Sequence, residues 1–317
     1  MTLHQQNFRA PIKFVFIGKK RPYNTYMIRR YTPQDVPQLV MFFSECYPDD
    51  SHSGRDVRNR ISHIRSLGGL AWVVALEDGE IAAFAWITPV PGLPHIAELE
   101  GGVAVRWRRQ GYGSRLLQHI LVDLKGSQFK QLSFAVERLD SPAACLLQQQ
   151  KFFVEHSENV LWCENITNLP VLTQKAGAQV VTFDRKTAVA HFTQLYNNIF
   201  RSHTWYQPYT APEVADLLMD PDEMLFLKIN TEISGFAWLN MIEDHTGVIE
   251  PLGIGGNFQG LGYGRYLLTA AMHKLAQQGA QRLQIGAWAN NQPALHLYHS
   301  LGFQHHKTVT YLAHDLC

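Results

Sequence analysis

Two short stretches of this chain have the residue types and spacing of an anion-binding loop. Gln259-Gly260-Leu261-Gly262-Tyr263-Gly264 is followed by a helical pattern from Arg265 to Gln277, and Arg108-Arg109-Gln110-Gly111-Tyr112-Gly113 by one from Ser114 to Leu124. A glycine loop that opens a helix offers main-chain N–H groups with no intrahelical acceptor, at the end where the helix dipole is worth about half a positive charge. Glycine also lets the backbone come close to an anion. The chemistry on offer is the grip of a phosphate or pyrophosphate. A dinucleotide loop, G-x-G-x-x-G, needs its third glycine one place beyond Gly264, and no G-x-x-x-x-G-K-[ST] run occurs. A tight turn with no ligand is the plain alternative for either loop.

The elements that position these loops occur twice. The glycine motifs lie 151 residues apart, and Asp140, Ala143 and Phe152 return as Asn291, Ala294 and Phe303 at the same spacing. Upstream, Glu80-Ile81 with Phe84-Ala85-Trp86 returns as Glu232-Ile233 with Phe236-Ala237-Trp238 at a spacing of 152, which calls for a one-residue indel. A [QR]-x-x-G-x-G match is expected by chance roughly 0.15 times in a chain of this length. Two matches with three further blocks in register make a duplication, so the halves share a fold. The boundary falls near Ile166 to Gln179, where Asn168-Leu169-Pro170 and Lys175-Ala176-Gly177 break the pattern. The reading is an N-terminal domain, 1–168, and a C-terminal domain, 169–317, with residues 1–25 outside the repeat as an extra segment or strand.

In the first copy Met27 to Arg30 reads as a strand, and Thr32-Pro33 opens a helix as N-cap and first helical residue. Ala71 to Leu76 and Glu80 to Ile87 flank Asp78-Gly79, a hairpin signal. A strand then runs into the glycine loop and its helix. Leu132 to Val136 is another strand, Pro142 to Gln150 a short helix, and Phe152 onward a closing hairpin.

Composition narrows the function classes. A net charge of +1 over 317 residues, 46% of them hydrophobic and 17% charged, is ordinary for a globular protein. It disfavours a nucleic-acid binder, whose affinity rests on a basic excess. No stretch reaches the roughly 20 apolar residues of a membrane span. Cys46, Cys145, Cys163 and Cys317 are far apart, and the fifteen histidines show no ligand spacing, so no metal is expected. A reducing, cytoplasmic setting fits these cysteines.

On these residues the chain resembles the GNAT superfamily of acyl-CoA-dependent N-acyltransferases. The family hallmark is [QR]-x-x-G-x-[GA] after the fourth strand, then N-x-x-A-x-x-x-Y-x-x-x-G-F about thirty residues on. The second copy has Gln259, Gly262 and Gly264, then Asn291, Ala294, Tyr298, Gly302 and Phe303. The tandem layout is similar to the mycothiol synthase type. The resemblance implies a mixed α/β, α+β-like fold: two tandem domains, each a mostly antiparallel central sheet with splayed fourth and fifth strands, flanked by helices. It implies acetyl-CoA as co-substrate, with its pantetheine arm along the fourth-strand edge, Leu252-Gly253-Ile254 in the second copy and Val103-Ala104-Val105 in the first. The cofactor-binding set is then those residues with Gln259 to Arg265, Asn291 and Ala294, and a second possible CoA site comprises Val103, Val105 and Arg108 to Ser114. Two departures stand out: Gly256 where relatives often have proline, and Arg109 where the second loop has Gly260.

The resemblance also suggests catalytic roles. Tyr298 becomes the acid that protonates the CoA thiolate, since a tyrosine with an ordinary pKa near 10 stays protonated at neutral pH. Glu250 becomes the base that deprotonates the acceptor through water, with Glu243 or Asp244 as other acidic candidates and a solvated strand carboxylate as the bland reading. The oxyanion falls to a main-chain N–H near Ile254. Counting along the repeat pairs Tyr298 with Leu147, Glu250 with Leu99, Asn291 with Asp140 and Gly302 with Lys151, so the first copy reads as degenerate, although Glu98 and Glu100 flank its base position. His203, Trp205, Tyr206 and Tyr209 are candidates for the acceptor wall or for core packing. The expected partner is a small-molecule or peptide amine. The rival readings are a non-catalytic CoA-binding sensor or assembly module, and an aminoacyl or long-chain acyl transferase.

Overall fold

The computed structural model describes residues 25–46, 52–203 and 206–316, so the expected strand within residues 1–25, Trp205 and Cys317 lie outside the described residues. Two compact units emerge, one of residues 10–155 with 310–317, the other centred on residues 156–309.

In the N-terminal unit the order is β1 (Tyr26–Arg30), a 3-10 turn (Pro33–Asp35) running into α1 (Val36–Cys46), α2 (Gly54–Ser66), β2 (Leu70–Leu76), β3 (Ile81–Val90), β4 (Leu93–Val103), α3 (Tyr112–Asp123), β5 (Gln131–Val136) and α4 (Pro142–Gln149). Thr32 caps the 3-10 turn with Asp35 in a capping box. Asp78-Gly79 makes the β2–β3 turn, with Gly79 at φ +82°. Strands β1 to β4 pair antiparallel in sequence, and β4 pairs β5 in parallel. The apolar run of β3 is buried on both faces, as expected of a strand with helices above and below.

The C-terminal unit repeats this plan with β7 (Ala178–Val181), α5 (Arg185–Phe200), α6 (Ala211–Leu217), β8 (Met224–Ile229), β9 (Glu232–Ile242), β10 (Thr246–Ile254), α7 (Tyr263–Gln277), β11 (Arg282–Trp288) and α8 (Gln292–Ser300). Two apolar clusters sandwich its sheet. Leu267, Leu268, Met272 and Leu275 of α7 pack on Ile249, Leu283 and Ile285, while Phe192 and Tyr196 of α5 pack with Phe226, Phe236 and Trp238. Each buried side chain of this size contributes about 1.5–3 kcal/mol.

The closing hairpin expected from Phe152 is a correction. Phe153 to Cys163 form one continuous strand, β6, with no glycine or proline within it to turn the chain. Glu158 to Cys163 of β6 pair with Trp288 to Leu283 of β11, in the C-terminal unit. The last strand, β12 (Gln304–Asp315), pairs Thr310 to Asp315 with Val136 to Gln131 of β5, in the N-terminal unit. No helix among the described residues is long and apolar enough to cross a membrane.

Candidate active site

Both glycine loops form the anion-binding geometry. Helix α7 starts at Tyr263, two residues before the sequence pattern suggested, and its N-cap Gly262 sits at φ +81° with no side chain capping the helix. The first intrahelical bond is Tyr266 N–H to Gly262 O at 3.2 Å, so the amides of Tyr263, Gly264 and Arg265 face outward from the first turn. A Cβ at Gly256 or Gly260 would meet nothing within 4 Å, while one at Gly264 would lie 3.3 Å from Leu297. The loop is therefore open where an anion must approach and tight where the helix packs. These features fit the diphosphate of CoA.

Gln259 does not point at that opening. Its Nε2 donates to Ile254 O at 2.8 Å, and in the first loop Arg108 Nε donates to Val103 O at 3.1 Å. The [QR] position thus braces the loop against the end of the preceding strand. Arg265 turns to Ser300, donating to its hydroxyl at 3.0 Å. Asn291 caps α8, accepting from Ala294 N–H at 3.3 Å.

The strands before the loops splay as the resemblance implied. Strand β10 pairs with β11 only from Thr246 to Ile249, so Leu252, Gly253 and Ile254 keep β9 on one side and offer an open edge on the other. In the first unit β4 pairs with β5 only from Ile96 to Glu98. The corresponding edge there is Gly101 to Val103. Val105, placed on that edge from sequence, lies past the strand in a 3-10 turn. The strand ends after Val103, where Ala104 N–H bonds back to Ala82 O at 3.0 Å.

Glu250 sits at the one irregularity of this ladder. Ile249 pairs with Leu239 and Leu252 with Ala237, so Glu250 and Pro251 together stand against Trp238, joined by a cis peptide bond. In the first unit the ladder is regular at this point, with Leu99 opposite Ile87, Glu100 opposite Trp86 and Gly101 opposite Ala85. The bulge gives the second copy one extra strand residue, and the structural counterpart of Glu250-Pro251 is Glu100 rather than Leu99. Counting along the chain missed this because an extra strand residue shifts every partner by one.

The two carboxylates have different surroundings. Glu100 is half exposed, 3.1 Å from Arg60, and accepts the Trp86 indole N–H at 3.2 Å. Glu250 is buried, and burial pushes its carboxyl up to about 8, with the nearby Glu158 adding to the rise. Glu158, on β6 opposite Trp288, is buried as well. Tyr298 is buried on α8. Burial and then the charge of Glu250 raise its phenol above the ordinary tyrosine range, and its hydroxyl bonds to no other described residue. Tyr196 of α5 is raised in the same sense by burial, with Tyr209, Tyr206, Glu250 and Glu158 adding to it. The structure thus gathers Glu250, Tyr298 and Glu158 beside the open strand edge.

Of the other two acidic candidates, the Glu243 side chain lies outside the described residues, and Asp244 pairs with Arg282 and accepts from Thr246 Oγ1 at 3.0 Å. Tyr209 and Tyr196 belong to the packed aromatic core, and Tyr206 donates to Asn197 Oδ1 at 2.7 Å. His203 is half-buried, with its ring 4.5 Å from that of Trp288, and burial lowers its pKa. The aromatics of this wall therefore hold the loop after α5 in place, leaving His203 and Tyr206 partly exposed.

The N-terminal unit has a cavity of about 240 Å³ at the matching place, lined by Gly101, Gly102, Val103, Arg108, Arg109, Gly111, Tyr112, Gly113 and Ser114 and floored by Leu99, Leu146 and Leu147. Among the described residues no cluster of three or more histidine, cysteine, aspartate or glutamate side chains could hold a metal ion. Sequence reasoning missed Glu158, a charge in a strand whose partner it could not foresee. It also missed Lys175, whose ammonium donates to Leu261 O at 2.6 Å.

Comparison with known proteins agrees with this geometry. The profile of the acetyltransferase (GNAT) family matches residues 36–152 and 190–303. Mycothiol acetyltransferase of Thermomonospora curvata is 26% identical over 245 residues, covering 73% of this chain and 78% of that protein. The mycothiol acetyltransferase of Nocardia farcinica is 28% identical over 262 residues, covering 78% and 84%. Among solved structures, a GCN5-related N-acetyltransferase from Sphaerobacter thermophilus has a TM-score of 0.65 at 18% identity, covering 92% of this chain and 96% of that one. A tandem GNAT protein from the clavulanic acid biosynthesis pathway has a TM-score of 0.64 at 12% identity, covering 92% and 99%. The structural matches show the fold.

Proposed function

Because the chain belongs to the acetyltransferase (GNAT) family and is an acetyl-CoA-dependent N-acetyltransferase, we propose that its C-terminal unit carries out direct transfer to a primary amine of a small molecule or peptide, with Glu250 as base and Tyr298 as acid. The observation that carries this reading is the pairing of a buried carboxyl held near 8 with a buried, protonated phenol beside an unpaired strand edge. A base with a pKa near the working pH is the efficient choice.

The proton balance follows from these two groups. Glu250, through a water, takes the proton that the acceptor ammonium must lose, and the free amine attacks the thioester carbonyl. The main-chain N–H near Ile254 bears the oxyanion. As the C–S bond breaks, Tyr298 gives its proton to the thiolate, and the second proton of the new amide nitrogen returns the phenolate to phenol. Protonation of Glu250 removes the charge that raises Tyr298, so taking the first proton strengthens the acid needed next.

For CoA itself, the main-chain amides of residues 260–265 would hold the diphosphate and the edge of Leu252 to Ile254 the pantetheine arm. A second reading, that the first unit also holds CoA without turning it over, is favoured by its cavity beside Gly111 and Gly113. The test is thiol release from acetyl-CoA over a panel of amines, led by the acceptor of the mycothiol acetyltransferases, beside calorimetric CoA stoichiometry. Release that needs an amine supports the transferase; CoA binding with no release for any amine favours the sensor module. Two CoA per chain would make the first loop a ligand site as well.

A further inference from the structure

The segment that joins the two repeats has a use that the catalytic assignment leaves untouched. It is pinned along α7: His273 Nε2 lies 2.9 Å from Pro170 O, the Tyr266 hydroxyl donates to Gln174 Oε1 at 3.3 Å, and Gln174 Nε2 donates to Ala178 O at 3.0 Å. Lys175-Ala176-Gly177 then forms a reverse turn. Ala178 N–H donates to Lys175 O at 3.0 Å, and Asn230 N–H donates to Gly177 O at 2.7 Å. Lys175 therefore leaves a backbone fixed on both sides.

Its ammonium lies on the second glycine loop. Nζ donates to Leu261 O at 2.6 Å, sits 4.8 Å from the Tyr263 ring centroid, and would lie 3.0 Å from a Cβ built on Gly262. This is the positive end of α7, where a cation is electrostatically misplaced, since lysine favours helix C-termini. Among the described residues no carboxylate lies within ion-pair distance of it. One carbonyl takes one of its three donors. An anion that touches both the ammonium and the outward-facing amides would satisfy them together.

We propose that Lys175, contributed by the inter-repeat segment, is a diphosphate-binding residue of the acetyl-CoA site in the C-terminal unit. The inference rests on the reading that this loop holds acetyl-CoA, and it makes the joining segment part of the donor site. The lysine acts on donor affinity and not on the acyl-transfer step, because it stands at the phosphate end of the ligand.

The experiment follows amide hydrogen exchange of residues 259–266 in the full chain while CoA, 3′-dephospho-CoA or pantetheine is titrated. This reads the C-terminal loop alone, whatever the first unit binds. In the wild-type chain CoA protects the loop. Lys175→Met is expected to raise the CoA concentration at half protection about tenfold, the worth of one charge-assisted contact. The rise should be the same with 3′-dephospho-CoA and absent with pantetheine, and Lys175→Arg should stay near wild type.

An unchanged midpoint for Lys175→Met overturns the proposal while leaving the CoA site intact. A rise that vanishes with 3′-dephospho-CoA moves the contact to the 3′-phosphate and overturns the diphosphate assignment. An equal rise with pantetheine makes Lys175 a clamp of the loop and nothing more. No protection of the wild-type loop by CoA removes the underlying reading, and the proposal falls with it. If Lys175→Met alters exchange before any ligand is added, Lys175→Gln and Lys175→Arg, which keep the polar reach to Leu261 O but differ in charge, decide between the outcomes.

Discussion

The two units have the same brace from Gln259 or Arg108 and the same splayed strand, yet the ladder beside that strand differs between them. Where Glu100 alone opposes Trp86, Glu250 and Pro251 together oppose Trp238. In the first unit the carboxylate is half exposed, beside Arg60 and the Trp86 indole. In the second it is buried, a second carboxylate stands near, and the proton is held more tightly. A bulge re-aims a side chain without changing the fold around it. Duplicated sites can thus diverge in chemistry by one inserted strand residue while the brace and the splayed strand stay alike.

The largest break of this comparison is at the acid, where the first unit has Leu147. Tyr298→Phe removes one hydroxyl and keeps the ring packed near Phe303. Turnover is expected to fall by about 10²-fold or more, within the usual range for a lost general acid, with CoA affinity unchanged. Steady-state thiol release with a calorimetric CoA titration checks both halves. Retained turnover would make the second unit no more catalytic than the first.

Next in size is the base. With the Glu250 carboxyl held near 8, kcat/KM is expected to rise with pH up to about 8 and then level, since only about a tenth of the base is ionised at pH 7. Glu250→Gln should lower the plateau by about 10²-fold and abolish that ascending limb. Stability moves the other way with pH. A carboxyl raised above its unfolded value favours folding fully below the unfolded pKa near 4.5, and this contribution is lost as pH rises through about 8. Glu250→Gln should therefore flatten the fall of Tm across that window, which thermal melts at several pH values would show.

How far the sequence reached is clear from these residues. Glycine spacing, the Asp78-Gly79 turn and the apolar runs are local signals, so the loops, the hairpin and the repeat could be read directly. Glu250 and Tyr298 were found through a resemblance, and the structure brings them together. The counterpart of Glu250 was misplaced because numbering cannot say where in a ladder an extra residue bulges, although Pro251 inside a strand is a signal for one. The partner of β6 and the nearness of Glu158 were out of reach, since strand pairing between residues over a hundred positions apart leaves no local mark. Lys175 lay in a stretch read only as a boundary.

A smaller effect separates the loops themselves. Gly262 and Gly111 both have positive φ, +81° and +86°, so alanine costs each helix start roughly 1 kcal/mol of strain. The two variants should lose similar Tm. Only Gly262→Ala, whose Cβ also crowds Lys175 Nζ at 3.0 Å, should raise the KM for acetyl-CoA, by about tenfold. Equal KM changes would mean that both loops feed one reaction.

The smallest and sharpest difference concerns Glu158, which distinguishes the buried carboxylate of the second unit from its paired counterpart in the first. Its charge adds to the rise of Glu250, so Glu158→Gln keeps the shape and removes the repulsion. The ascending limb of kcat/KM should move to lower pH, while the plateau, where Glu250 is ionised in either chain, stays near the wild-type rate. Burial is the larger cause of the raised carboxyl, so the limb should stop short of the ordinary glutamate value. A limb that does not move would leave burial as its only origin; one that moves to higher pH would mean Glu158 acts as a proton acceptor for its neighbour rather than as a fixed charge.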